Sequence, residues 1–213
     1  MRYNTRFTLA ALALAGMTAA CTDAPTVPST GPVEAMSPSL VTGMSSVGND
    51  GRFTLTVNPT KEQTFRIGRH KVVFPAGSIC DPAQSSYGPT EWDRKCKPLK
   101  RPITITADTM TVDGHPFINF SPELRFAPSR NAEQWVMLFM EDLSAGDETA
   151  ASSLNILWHA PDGTLVDESL ADPTLATSVK LHGIGTATVS RRVKHFSGYL
   201  VAVTRSEASP EAH

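Results

Sequence analysis

Two cysteines, Cys80 and Cys96, have the type and spacing that most directly indicate chemistry. The 15 residues between them, 81–95, are rich in Pro, Ser and Gly and show no apolar periodicity. In an oxidising compartment a disulfide would clamp this loop, which is unable to order itself. The alternative, a zinc site, needs more ligands at short spacing than two cysteines supply. We therefore predict a Cys80–Cys96 disulfide.

The N-terminus has the pattern of an export signal. Arg2 and Arg6 form a short basic region, residues 7–15 are apolar, and small residues follow before Cys21. The uncharged run over residues 7–20 has 14 residues, fewer than the roughly 20 that a membrane-spanning helix needs. We expect residues 1–20 to be a signal peptide and not a permanent anchor.

The sequence TAAC at residues 18–21 resembles a bacterial lipobox, after which the cysteine is lipidated and becomes the mature N-terminus. It departs from the usual pattern at Thr18, where an aliphatic residue is more common. The alternative is ordinary signal-peptidase cleavage after Ala20, since residues 18 and 20 are both small. Lipidation of Cys21 would leave the other two cysteines as the only possible pair. Lipoproteins that have no Asp directly after the lipidated cysteine go to the outer membrane. The residue after Cys21 is Thr22, so the resemblance implies an outer-membrane anchor. Secretion or release into the periplasm is the alternative.

Composition and charge bound the class of protein. The chain has 213 residues, of which 40% are hydrophobic and 19% charged, as in a soluble globular protein with one main core. Nineteen Lys and Arg face 21 Asp and Glu, a net charge of -2. This balance lacks the basic surface that binding to a phosphate backbone needs, so we expect no nucleic-acid partner.

The histidines and acids form no recognised site. Six histidines are scattered without a pair at ligand spacing, which predicts no metal centre. The aspartates at 162, 167 and 172 fit turn chemistry better than a pair of glycosidase acids. The chain has no Gly-x-Ser-x-Gly, phosphate-loop or His-Glu-x-x-His motif. We expect no cofactor and find little support for a general hydrolase.

The chain divides into a tether, a domain and a tail. Residues 21–50 carry Pro25, Pro28, Pro32 and Pro38 among Ser, Thr and Gly, which is typical of a linker. The alternative is that residues 41–47 form a first strand. We predict a folded domain over residues 51–205 and a disordered tail over residues 206–213.

Apolar residues in the domain repeat with a period of two. Phe53, Leu55 and Val57 alternate with polar neighbours, and similar short runs recur up to Val203, separated by turn residues. Residues 135–140 are apolar on both parities, which predicts a strand covered on both faces. About ten short strands without an amphipathic helix predict an all-β fold, an antiparallel β-sandwich, with a closed barrel as the competing architecture.

Three segments, in order, resemble the ZU5 domain and its bacterial relatives. They are VFPAGSI at residues 73–79, FSPELRFAP at residues 120–128 and HFSGY at residues 195–199. The similarity spans residues 64–203, and the disulfide-flanked loop departs from the eukaryotic pattern. ZU5 domains generally serve as non-catalytic interaction modules, so the resemblance implies a binding or structural role.

The same resemblance implies one reaction. Some ZU5-related domains cleave their own chain within such a His-Phe-Ser segment, which makes Ser197 the nucleophile, the Phe196-Ser197 bond the scissile one and His195 or another histidine the base. The alternative is structural. Because alternate residues of a strand face opposite sides, Phe196 would lie in the core while His195 and Ser197 share a face and hydrogen-bond.

Tyr87 and Trp92, in the predicted disulfide loop, are the candidate binding residues. Amphipathic rings on a pinned loop can stack on sugar or peptide surfaces. The alternative is that Trp92 folds inward and plugs the end of the sandwich. We expect Trp135 and Trp158, on alternating strands, to be core residues.

These observations predict an exported, lipid-anchored, non-catalytic binding or structural module of the cell envelope with a protein or glycan partner. The first alternative is a self-processing domain cut at Phe196-Ser197. The second is an envelope protein that binds or hydrolyses carbohydrate.

Overall fold

The computed structural model describes residues 51–129, 131–183 and 185–204. The predicted signal peptide, the lipidation site at Cys21, the tether over residues 21–50 and the tail over residues 206–213 lie outside the described residues. Among the residues described, no helix is long and apolar enough to cross a membrane.

The described chain forms two antiparallel sheets that pack as a sandwich. One sheet has six strands, in the spatial order β1 (Gly51–Val57), β4 (Ile103–Val112), β5 (His115–Arg125), β11 (His195–Val203), β7 (Leu154–His159) and β8 (Leu165–Val166). The other has five, in the order β2 (Gln63–Ile67), β3 (His70–Phe74), β6 (Val136–Asp142), β10 (Thr186–Val193) and β9 (Ser178–Gly183). The prediction of an all-β, antiparallel sandwich is confirmed.

Helical structure within the described ranges is limited to short connecting segments. One α-helix, α1 (Glu148–Ser152), begins after Asp147, whose side chain accepts a hydrogen bond from the Ala150 amide. Three single-turn 3-10 helices cover Ala132–Gln134, Glu168–Leu170 and Pro173–Leu175. The last two follow one another and lie beside the site described below.

Apolar side chains at every second position of the strands fill the space between the sheets. Leu55 and Val57 of β1 are buried between exposed threonines, and β10 alternates in the same way with Ala187, Val189 and Val193 inward. Such alternation gives each strand one face toward a shared core and one toward solvent.

β6 differs from the expectation of burial on both faces. Its burial alternates between the buried Val136, Leu138 and Met140 and half-buried residues, so the outer face is covered only in part. The outward Phe139 is covered by the ammonium group of Lys71, which lies 3.9 Å from the ring centroid. A long side chain on the neighbouring strand β3 takes the place of a packed layer.

β11 is an inner strand of the six-stranded sheet and carries the HFSGY segment. It pairs with β5 on one side and β7 on the other, so its residues are buried from His195 to Ala202. The register with β5 shifts between Phe196 and Gly198, because residues 120–123 of β5 stand opposite Ser197 alone, so the extra residues of this irregularity belong to β5. Ser197 therefore has no Cα partner on β5.

Candidate functional site

The disulfide between Cys80 and Cys96 is present, which confirms that prediction. It closes the disulfide loop, residues 81–95, across a gap of 5.6 Å between the Cα atoms. The loop is also held by the sandwich, because the buried Arg125 of β5 donates hydrogen bonds to the carbonyl oxygens of Glu91 and Arg94. Covalent and polar restraints together hold the loop against the sandwich.

Trp92 folds inward from the disulfide loop, in the manner of the second of the two alternatives for it. Its ring stacks on the imidazole of His195 with the centroids 3.8 Å apart and the planes 13° apart. It meets Trp158 edge to face at 4.9 Å. Trp92 is 7% exposed, so what it presents to a partner is a narrow part of the ring.

Tyr87, the other candidate binding residue, is half-buried and joins the loop to β11. Its hydroxyl donates a 2.9 Å hydrogen bond to the carbonyl oxygen of Phe196 and lies 3.2 Å from Nδ1 of His195. Burial raises the pKa of Tyr87 well above its usual value, so the phenol keeps its proton as a donor.

His195 is fully buried between these aromatic rings. Its Nε2 lies 3.0 Å from Oε1 of Glu168, and burial lowers the pKa of His195, with the Glu168 carboxylate acting in the opposite direction. The neutral imidazole therefore donates from Nε2 to the carboxylate and leaves Nδ1 as an acceptor. The proton of Tyr87 then has two acceptors within reach, Nδ1 of His195 and the oxygen of Phe196.

Glu168 also faces a buried arginine. Oε2 of Glu168 lies 3.5 Å from Nη2 of Arg191, and both side chains are buried. Arg191 belongs to β10 and donates to the carbonyl oxygen of Ile156 in β7, so it connects the two sheets. The charges of Glu168 and Arg191 compensate each other inside the sandwich.

Ser197, the candidate nucleophile, accepts a 2.7 Å hydrogen bond from Nε1 of Trp158. Phe196 lies in the core and stacks on Phe120 with the ring centroids 3.9 Å apart. His195 bonds to Glu168 and Ser197 to Trp158, and the phenol of Tyr87 is a hydrogen-bonding neighbour of both. The fold brings four of the candidate residues, Tyr87, Trp92, His195 and Ser197, to one end of β11.

A surface cleft of about 320 Å³ opens beside this cluster, and we name it the Trp cleft. It lies between the disulfide loop and residues 166–175. Its aromatic members are Trp92 and Trp158, and apolar side chains continue its lining: Pro89, Val166, Leu170, Ala171 and Leu175. Leu170 is 74% exposed and adds apolar surface at the edge of the cleft.

Charged side chains complete the lining of the Trp cleft: Asp93, Asp167, Glu168, Asp172 and Lys194. Nζ of Lys194 lies 2.5 Å from Asp93 and 2.8 Å from Asp172. Although burial opposes it, hydrogen bonding from Lys194 and Thr174 lowers the pKa of Asp172 to about 2. Asp172 is therefore ionised at neutral pH.

The turn chemistry expected of the aspartates is present. Asp167 and Asp172 each begin a 3-10 helix, their side chains accepting hydrogen bonds from the Ser169 and Thr174 amides. Asp162 accepts from Thr164 in the same manner. These caps orient the segment that carries Glu168 and Leu170.

Sequence reasoning missed Glu168, Arg191 and Lys194. Glu168 contacts His195 across 27 residues of sequence, and no spacing rule links the two. One signal in the sequence was available. Arg191 occupies one of the inward positions of β10, and the other inward positions hold Ala187, Val189 and Val193. A charge on the core side of a strand indicates a buried partner.

Among the described residues, no group of three or more His, Cys, Asp or Glu side chains is placed to hold a metal ion. Trp135 and Trp158 are both buried. The chain matches no protein-family model, no curated protein and no solved structure at a significant level.

Proposed function

We propose that this protein is a non-catalytic binding module of the cell envelope, exported by residues 1–20 and anchored through a lipid on Cys21. The observation that carries the binding role is the Trp cleft. Its two tryptophans are held by a disulfide loop and by hydrogen bonds at fixed positions, and a preorganised aromatic site loses little entropy on binding. The exposed Leu170 adds apolar surface that a partner would cover.

The resemblance of three segments to ZU5 domains supports the same role. Those domains generally act as interaction modules, and two of the segments, at residues 73–79 and 195–199, lie in or beside β3 and β11. The proposed partner is a protein or a glycan of the envelope. An envelope protein that binds or hydrolyses carbohydrate is the second alternative.

Leu170→Glu tests the binding role without disturbing the core, because the side chain is mostly exposed. We expect the full chain carrying this substitution, expressed in its own host, to lose the envelope cross-links that the unsubstituted protein forms. Leu143→Glu is the matched control, since Leu143 is 57% exposed and does not line the cleft. Equal cross-linking by both variants would remove the Trp cleft as the binding site.

Self-cleavage at Phe196-Ser197 is the second candidate function, and one contact favours it. The hydroxyl of Tyr87 donates to the carbonyl oxygen of Phe196, the atom that would carry negative charge after attack on that carbonyl. Oγ of Ser197 would attack the Phe196 carbonyl carbon and the peptide C–N bond would break, leaving an ester and a free amine. Water would then hydrolyse the ester to a Phe196 carboxylate and restore the serine hydroxyl.

A denaturing intact-mass spectrum of the protein from its own envelope tests this reaction and the anchor together. Self-cleavage predicts a fragment ending at Phe196 and a peptide of residues 197–213, both absent in Ser197→Ala. A single species beginning at Cys21 would exclude cleavage, and its mass increment would report the lipid. A gain of two hydrogens on reduction would report the disulfide.

A further inference from the structure

The Trp cleft carries more negative than positive charge. Four carboxylates line it: those of Asp93, Asp167, Glu168 and Asp172. Among the described residues Lys194 is its one cationic side chain, and Arg191 pairs with Glu168 from within the core. Four negative charges therefore face two positive ones, in a site partly shielded from water, where charge acts more strongly than in bulk solvent.

The single lysine does not give the cleft a free positive charge. Nζ of Lys194 is held between the carboxylates of Asp93 and Asp172, at 2.5 and 2.8 Å. The side chain of Asp93 is 75% exposed, so this carboxylate stands at the mouth of the cleft and meets a ligand first. An anionic ligand would have to pass Asp93 and would find Lys194 already paired.

A second observation points to a ligand that brings hydrogen-bond donors. Glu168 is 6% exposed, and its Oε2 accepts no hydrogen bond from any residue that the structure describes, with Nη2 of Arg191 at 3.5 Å. Arg191 pairs with this carboxylate from the core side, and within the described part of the chain Oε2 lacks a hydrogen-bond donor of its own. Glu168 also lines the Trp cleft, so its carboxylate acts on a charge that enters there.

The apolar part of the cleft suits the rest of such a ligand. Indole rings such as those of Trp92 and Trp158 attract cations. Val166, Leu175 and Leu170 match the methylene stem of a lysine or arginine. A volume of about 320 Å³ is at the small end of ligand sites and suits one long side chain.

We propose that the Trp cleft binds a basic side chain, lysine or arginine, of a partner polypeptide; this rests on the binding role proposed above and names its ligand class. The aliphatic stem lies along Leu170 and the tryptophans, and the charged group meets the carboxylates. Neutral sugars fit less well, because most carboxylate oxygens of the cleft already accept hydrogen bonds from Lys194, Asn155 or neighbouring turns.

Three short blocked peptides that differ at one central residue test this inference. The central residue is lysine, norleucine, which keeps the stem without the charge, or glutamate. The probe is the exported chain carrying Cys21→Ser, observed through the indole N–H signals of Trp92 and Trp158 in NMR titrations. We expect the lysine peptide to shift both signals with the lowest Kd and the shifts to weaken at high salt.

Two variants are expected to change the affinity for the lysine peptide in opposite directions. Asp93→Asn should weaken lysine-peptide binding about threefold, the scale of one exposed charge pair, and Lys194→Met should strengthen it by about the same factor. Glu62→Gln, an equal change of charge at an exposed residue that does not line the cleft, should leave the Kd unchanged. The melting temperature of each variant separates loss of binding from loss of folding.

Equal binding of the lysine and norleucine peptides would overturn the cationic ligand class and leave the Trp cleft as an apolar binding site. Preference for the glutamate peptide, or for a soluble chitooligosaccharide, would overturn it in favour of another class. If no probe shifts the indole signals, the cationic class is wrong. The binding role itself fails only if Leu170→Glu also leaves the envelope cross-links intact.

Discussion

The hydroxyl of Tyr87 donates a hydrogen bond to the carbonyl oxygen of Phe196, 109 residues later in the chain. This contact ties the disulfide loop to the start of β11. It holds Trp92 over His195 and, through His195, positions Glu168 beside the Trp cleft. One phenol thus connects the loop, the inner strand and the cleft.

Tyr87→Phe is expected to reduce the free energy of unfolding by about 1 to 3 kcal/mol, because the Phe196 oxygen loses its donor while it stays buried. Urea denaturation of the wild-type and substituted chains measures the difference. Thr90→Ala, also in the loop, serves as the control for a general effect of loop substitution. Unchanged stability of Tyr87→Phe would mean that water replaces the phenol.

Loss of the disulfide through the paired change Cys80→Ser and Cys96→Ser should cost about 3 kcal/mol, the chain-entropy value for a loop of this size. The loop should nevertheless stay near the sandwich, because Arg125 still bonds to the carbonyls of Glu91 and Arg94. Chemical denaturation gives the energy, and the NMR signal of the Trp92 indole reports the position. A random-coil Trp92 signal would show that the disulfide alone holds the loop.

Glu168→Gln should destabilise the domain by about 3 to 5 kcal/mol, because it leaves Arg191 buried without a counter-charge. Arg191→Met should be similarly harmful alone. The double variant should lose less than the sum of the two, since no unpaired charge remains. A thermodynamic cycle of the four proteins checks this, and additive losses would mean that the two side chains do not interact.

The stability of the domain should depend on the protonation of His195. Its folded-state pKa lies below the unfolded value of about 6.5, so protons favour the unfolded chain. The stability contributed by the neutral ring is complete above about pH 6.5 and is lost as the pH falls toward the folded-state pKa. Urea denaturation across this range should show the decline, and His195→Gln should lack it.

His115 provides the internal comparison for that measurement. A 2.6 Å contact with the buried Asp142 raises the pKa of His115, so its contribution is present below about pH 6.5 and is lost as the pH rises through the higher folded-state pKa. His115→Gln should therefore change the pH profile with the opposite sign. Equal profiles for the two variants would contradict the assigned directions.

The sandwich was predictable from sequence because each strand needs only local information: alternation in β1 and β10 and turn residues between strands. The disulfide followed from the cysteine count and from the predicted export, and the caps at Asp167 and Asp172 followed from side-chain reach. These features depend on neighbours within a few residues or on a forced pairing.

The site was less predictable because it joins distant parts of the chain. Whether Trp92 points inward or outward depends on the space left by Trp158 and His195, which no local pattern encodes. The register shift in β5 leaves Ser197 without a Cα partner on that strand, and the alternation of β11 alone does not predict it. The prediction for β6 was met only in part for a related reason. The outer face of Phe139 is covered by the side chain of Lys71 and not by another layer of strands or helices.

Because β11 is paired on both sides, a cut in the backbone near its start does not by itself separate the two pieces of the chain. Residues 198–203 are paired with β7, and the first three of them also pair with β5. If the backbone were opened after Phe196, these pairings and the buried Tyr199 and Val201 would keep the two pieces together as one particle. A peptide of residues 197–213 supplied to a chain ending at Phe196 should therefore complete the fold in trans, as in a split reporter.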